Sequence, residues 1–319
     1  MKRDKVLAIL MLAILILCLT ACGSSAPSQA PENDPPQTDV ENTEPSASIT
    51  KEKEVTDKEI TITVEDPSGT YEIDGYYTGS EKNGQADGQG TFTYWDNNDT
   101  YSLKYEGAFS NGTFQGEGKE TQKDAEEGYI RVYEGQFMNG NYNGHGTLTV
   151  TDMSDNSTLK IVGTFTKGSF TPTAGEAFNF IGQLDVFGTF SLSDNQIEYV
   201  DSHPELFPTC NKASADAADL VSFTYKQFTK TRKQEELGPI KLNLVAQQVF
   251  EDEFLDGKVT SLLARDTDNN YYTVYYRDSV EVYDGDSFVV WAVPCTTSSF
   301  DNIGGGVTTT IVLLACYME

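Results

Sequence analysis

The chain is 319 residues long and carries 49 Asp and Glu against 22 Lys and Arg, a formal net charge of −27. The excess is spread along it, with 7 basic against 21 acidic side chains in residues 67–205 and 8 against 14 in residues 220–319. Neither stretch offers the basic face that a phosphate backbone requires, so nucleic acid is excluded as a partner and anionic lipid is a poor one.

The N-terminus reads as an export signal. Met1-Lys2-Arg3-Asp4-Lys5 precedes an apolar run from Val6 to Leu17, too short for a membrane span, and small residues follow in Leu19-Thr20-Ala21-Cys22-Gly23. That pentapeptide resembles the lipobox of bacterial lipoproteins. The resemblance implies cleavage between Ala21 and Cys22, lipid on Cys22, and an extracytoplasmic protein held to the cell membrane through that lipid. Removing residues 1–21, with three basic residues and one acidic, leaves 19 against 48, a net charge of −29. Residues 22–66 are rich in Ser, Pro, Thr, Glu and Asp with almost no aromatic residues, a composition that predicts a disordered tether. A flexible chain of that length spans roughly 40 Å.

Beyond the tether the sequence is periodic. Gly79, Gly107, Gly135 and Gly163 recur at a spacing of 28 residues, and Gly84, Gly112, Gly140 and Gly168 keep the same step. A period of this size marks one supersecondary unit stacked on copies of itself. Tyr77, Tyr105 and Tyr133 each stand two residues before the first glycine, and Phe109 and Phe137 two after it, so ring, glycine and ring share one face of a strand. Asn83-Gly84, Asn111-Gly112 and Asn139-Gly140 are hairpin turn signals, and Phe114 to Gly118 and Tyr142 to Gly146 begin the returning strands. Each repeat is therefore a β-hairpin.

The order Tyr-x-Gly-x-Phe, Asn-Gly, Gly-x-Gly-Thr resembles the MORN repeat, most fully from Tyr133 to Leu148. Glu81 replaces the phenylalanine in the first copy, Ile161, Lys167 and Pro172 erode the fourth, and a further eroded copy is expected from Phe180 to Phe190. The resemblance implies an array of antiparallel hairpins, here residues 67–205, used for association with protein or membrane and without catalysis of its own.

Residues 206–219 form a connector, and a second domain is expected from residue 220 to 319. Thr224 and Gln227 make a capping box, Phe223 and Phe228 occupy staple positions and Gly238-Pro239 supplies a stop, which predicts one short helix. Apolar alternation in Lys241 to Phe250, Val259 to Arg265, Tyr271 to Tyr276, Ser287 to Pro294 and Thr308 to Met318 predicts five strands. One helix and five strands resemble a small OB-fold-like barrel of bacterial envelope lipoproteins, and Tyr283 to Val290 looks like that family's turn into its fourth strand. OB folds bind oligonucleotides or oligosaccharides across their second and third strands. On that face the resemblance offers Tyr271, Tyr272, Tyr275 and Tyr276, of which one member of each pair is core and the other a ligand-stacking candidate.

Asp266 to Asn270 echoes the start of an EF-hand, but Tyr271 and Arg277 stand where its glycine and closing glutamate belong, so a hairpin turn is expected. With two histidines, His145 and His203, and no Cys-x-x-Cys pair, no metal or cofactor is expected. Cys210, Cys295 and Cys316 remain after export; Cys295 and Cys316 lie in apolar strands, as buried thiols or as one disulfide. The fold class is thus mainly β, a hairpin array followed by an OB-like barrel. The function expected is a lipid-anchored binding or scaffolding protein of the cell envelope rather than an enzyme, with a protein or neutral glycan as partner. A carbohydrate-binding barrel and an envelope enzyme of unknown type are the alternatives.

Overall fold

A computed structural model describes residues 53–319 apart from 67–68, 185, 232–235, 256 and 303. The signal segment, Ala21, Cys22 and tether residues up to 52 lie outside the described residues. Nine strands lie in one sheet in chain order: β1 (Lys53–Asp66), β2 (Gly69–Lys82), β3 (Gln85–Trp95), β4 (Tyr101–Ser110), β5 (Thr113–Asp124), β6 (Tyr129–Met138), β7 (Asn141–Asp152), β8 (Thr158–Thr166) and β9 (Ser169–Phe170). The described residues divide into two compact units, 53–159 with 166–169, and 160–165 with 170–319.

In the first unit the period becomes geometry. Asn83-Gly84, Asn111-Gly112 and Asn139-Gly140 all have positive φ at both residues, the tight turn whose twist matches its strands. Lys167-Gly168 adopts the same conformation with a residue that tolerates it poorly, φ 48° at Lys167. Each turn is tied to the one before it: the amides of Gly112, Gly140 and Gly168 donate to the carbonyls of Ala86, Phe114 and Tyr142 at 2.9–3.0 Å.

The sheet begins earlier than the composition of residues 22–66 predicts. Residues 53–66 are strand, not tether, and pair antiparallel with β2. Ile62 and Val64, alternating with threonines, are buried and provide the physical reason. The free edge of β1 crosses the turns, with the amides of Thr63 and Glu65 donating to Gly112 and Asn139 at 3.1 and 3.0 Å. Lys58 pairs with Glu81, the residue that replaces phenylalanine in the first repeat.

The array also ends earlier than expected. The further copy expected from Phe180 to Phe190 holds no strand among the described residues: its first two residues end a helix, α1 (Ala174–Ile181), followed by α2 (Asp194–Asp201), α3 (Lys212–Ala217) and α4 (Tyr225–Thr231). Thr173 and Glu176 form a capping box, as do Ser193 and Gln196, and these local signals override the weak glycine spacing. The one helix expected is α4, where Phe223 and Phe228 meet at 6.0 Å between ring centres; the other three lie before it.

The five expected strands are β10 (Ile240–Phe254), β11 (Gly257–Arg265), β12 (Tyr271–Tyr276), β13 (Ser287–Asp301) and β14 (Val307–Met318). They close a barrel in the order β10-β11-β12-β14-β13, with β12 and β14 its parallel pair. Leu244, Leu262, Val274, Val290 and Leu313 fill it.

Candidate functional site

Strand register aligns the repeat signature into rows. Gly79, Gly90, Gly107, Gly118, Gly135 and Gly146 are successive cross-strand partners, a glycine row across six strands. Beside it runs a second row, Tyr77, Phe92, Tyr105, Glu120, Tyr133 and Leu148. Each tyrosine is buried and leans over the glycines: a Cβ on Gly90, Gly118 or Gly146 would run into the ring of Tyr77, Tyr105 or Tyr133. The register shifts within each hairpin between the signature glycine and the residue two further on, so that Ser80, Ala108 and Gln136 each stand opposite three residues of the returning strand, whose central glycines, Gly88, Gly116 and Gly144, have positive φ. Their carbonyls accept from the hydroxyls of Tyr77, Tyr105 and Tyr133 at 2.7, 2.9 and 3.1 Å. The tyrosine of the Tyr-x-Gly-x-Phe motif therefore caps, from its own strand, the carbonyl that faces a bulge in the returning strand. Burial pushes the Tyr77 hydroxyl up to about 12 and those of Tyr105 and Tyr133 higher still. Gly163, the fourth signature glycine, packs instead against Phe170 and the Glu176 carboxylate, which accepts from the Thr164 amide at 2.9 Å.

On the face opposite the rings, where no side chain rises from the glycine row, lies a shallow open groove of about 1150 Å³. Its floor is backbone. Glu106, Glu117 and Glu134 line it together with Lys119, Gln136 and His145. Lys119 pairs with Glu134 at 2.7 Å, so the groove keeps an acidic excess. Such a surface offers carbonyl and amide edges and flanking carboxylates.

The ring face holds one feature that the sequence reading missed. Glu120 stands one period after Phe92 and one before Leu148, in an apolar row, and is buried. It accepts from the Tyr142 hydroxyl at 2.5 Å and from the Gln122 amide at 2.8 Å, and the buried Arg131 adds a positive charge. Burial nevertheless pushes its carboxyl up to about 6, against the lowering by those three groups. The signal was present as a charged residue at a core position of the period.

Three of the four barrel tyrosines are buried. Tyr272 and Tyr276 point into the core, as alternation requires. Tyr275, on the outer face, is 1% exposed because Phe190 covers it at 5.0 Å between ring centres, and Tyr271 alone stays half-buried. Phe180 and Phe187 pack in the same way on Phe254 and Phe250. This cover buries Tyr275 and leaves Tyr271 as the partly exposed member of the four.

Asp266 to Asn270 is the hairpin turn expected. The Asp266 carboxylate accepts from the amides of Asp268 and Asn270 at 2.9 Å, and from the Asn270 side chain at 2.8 Å. Among the described residues no three His, Cys, Asp or Glu side chains gather as metal donors. No helix among them is long and apolar enough to cross a membrane. Cys295 and Cys316 are free and buried. Cys295 stands opposite Leu313 and Val312 and Cys316 opposite Trp291 and Ala292, an offset that separates them along the strands.

The MORN repeat family matches residues 77–98, 105–124 and 133–152, which are the three complete hairpins with their buried tyrosines. MORN repeats are thus present at residues 77–152. No curated protein matches the chain.

Proposed function

We propose that the protein is a lipid-anchored binding module of the bacterial cell envelope, in which the hairpin array takes a protein partner along its glycine-floored groove. The groove carries this reading. Its row of bare backbone lets another chain approach closely, and its carboxylates favour a partner segment bearing lysine or arginine. In this reading the closed five-stranded barrel, with its aromatic cover, has the role of a supporting domain rather than a glycan site. The anchor rests on Leu19 to Cys22: the Cys22→Ala variant should lose fatty-acid label, and equal label in both proteins would remove the anchor from the proposal.

Photo-crosslinking tests the groove. A crosslinker at Gln136, inside it, should capture a partner from envelope extracts, while one at the exposed Tyr283 should not. The capture should disappear in the Glu106→Lys, Glu117→Lys double variant, provided that its melting curve is unchanged. Capture indifferent to the charge reversal, or equal from both positions, overturns the groove as the binding face.

A further inference from the structure

The last barrel strand carries a bulge whose purpose the barrel itself does not explain. Trp291 pairs with Tyr317 and Ala292 with Ala315, which leaves Cys316 as the extra residue on β14. Its carbonyl, released from the ladder to β13, accepts the backbone amide of Cys210 at 2.8 Å. Cys210 lies in the 206–219 connector immediately before Asn211, the cap of α3. A direct amide-to-carbonyl bond between two residues holds their Cα atoms about 5–6 Å apart, within the range that a disulfide bridges. The thiols are also close enough to influence each other's ionisation, and the Cys316 thiol donates to the Trp291 carbonyl at 3.3 Å. Cys210 is half-buried and reachable, Cys316 is buried behind it, and the Cys295 thiol faces the carbonyl of Val293 instead.

We infer that Cys210 and Cys316 form a disulfide on oxidation, tying the connector to the final strand of the barrel. The oxidant is another disulfide, small-molecule or protein. The Cys210 thiolate attacks one of its sulfurs, expelling the other as a thiol and leaving a mixed disulfide on Cys210. The Cys316 thiolate then attacks the Cys210 sulfur, forming the internal bond and releasing the second thiol. Two protein thiols are oxidised, one disulfide is reduced to two thiols, and the two protons leave on those thiols. Cys210 acts first because it is the accessible member. Burial holds both thiols above the ordinary cysteine range, so the reaction should quicken as pH rises. An oxidising extracytoplasmic compartment is where such a bond persists. The bond itself requires only the juxtaposition, and its test is independent of the groove and of the anchor.

The reduced full-length chain is incubated with glutathione disulfide, its remaining thiols are alkylated, and it is digested without reductant for peptide mass mapping. The expected product is a peptide pair joined through Cys210 and Cys316, lighter by two hydrogens than the reduced pair, with Cys295 alkylated only after denaturation. The oxidised chain should melt higher than the reduced one, and Cys210→Ser should abolish both the linked pair and the rise in melting temperature. Alkylation of both Cys210 and Cys316 in the folded chain, a glutathione adduct on Cys210 that never resolves, or a bond to Cys295 overturns the inference.

Discussion

Gly118 separates two opposite expectations for one added methyl group. In open space a change from glycine to alanine stabilises, by about 0.4–1 kcal/mol, because the unfolded chain loses freedom. At Gly118 the methyl would enter the ring of Tyr105, which cannot yield: it stacks on Phe114 at 4.0 Å and meets the edges of Phe109 and Phe137. Gly118→Ala should therefore cost about 1–3 kcal/mol in urea unfolding, whereas Gly257→Ala, with nothing near its Cβ position, should cost nothing. Equal midpoints would mean that the tyrosine row is loosely packed. Glu120 supplies a prediction in pH. Its carboxyl titrates at about 6 in the folded chain against an ordinary 4.5, so the folded state holds a proton that the unfolded state has already released. Its contribution is most favourable below 4.5 and falls by roughly 2 kcal/mol as pH rises through 6. Glu120→Gln lacks this loss, and its stability relative to the wild-type chain should improve by that amount between pH 4.5 and 7, whatever constant offset the substitution brings. Asp96 acts in the opposite sense and lower: held below the usual range by the Thr100 side chain, it contributes above its ordinary pKa and is lost on acidification.

Among the elements, β1 adds the most to what the period alone implies. Ile62 is fully buried between β2 and the hairpin turns, so Ile62→Ala should destabilise the array by about 2–5 kcal/mol. Thr61→Ala, on the exposed side of the same strand, should stay within about 0.5 kcal/mol. Similar urea midpoints for the two variants would show that β1 does not belong to the cooperative unit. The hairpins were legible because turn, glycine row and ring row repeat together, and three coincident signals survive the erosion of any one. β1 was hidden by its neighbours: Ile60, Thr61, Ile62, Thr63 and Val64 alternate as a half-buried strand does, but Lys, Glu and Asp on both sides gave the window the composition of a tether. α1 was obscured in the opposite way, because Phe180-Ile181-Gly182 and Gly188-Thr189-Phe190 imitate the repeat motif off its period, while Thr173 and Glu176, the stronger local signal, mark a helix start. Apolar alternation anticipated the five barrel strands closely, yet alternation alone does not say what covers their outer face; that depends on Phe180, Phe187 and Phe190, supplied by chain well before the barrel.

For the whole molecule, charge sets the first expectation. A net charge of −27 repels itself in any compact state, while the exposed pairs Lys104–Glu106 and Lys119–Glu134 add little. Raising the salt from about 0.01 M to 0.15 M shortens the screening length from about 30 Å to 8 Å, so the melting temperature at pH 7 should rise. A fall would mean that local ion pairs outweigh the overall repulsion. The contacts of β1 also bear on how such an array changes in length. Thr63 binds one hairpin turn at Gly112 and Glu65 the next at Asn139, so two residues of β1, about 6.8 Å, reach from one turn to the next although the bound residues are not equivalent. β1 thus acts as a ruler laid across the hairpin tips. A tandem duplication of one repeat would outrun it, and the new turn would stay untied until β1 was lengthened, which links any lengthening of the array to a compensating insertion far away in the sequence.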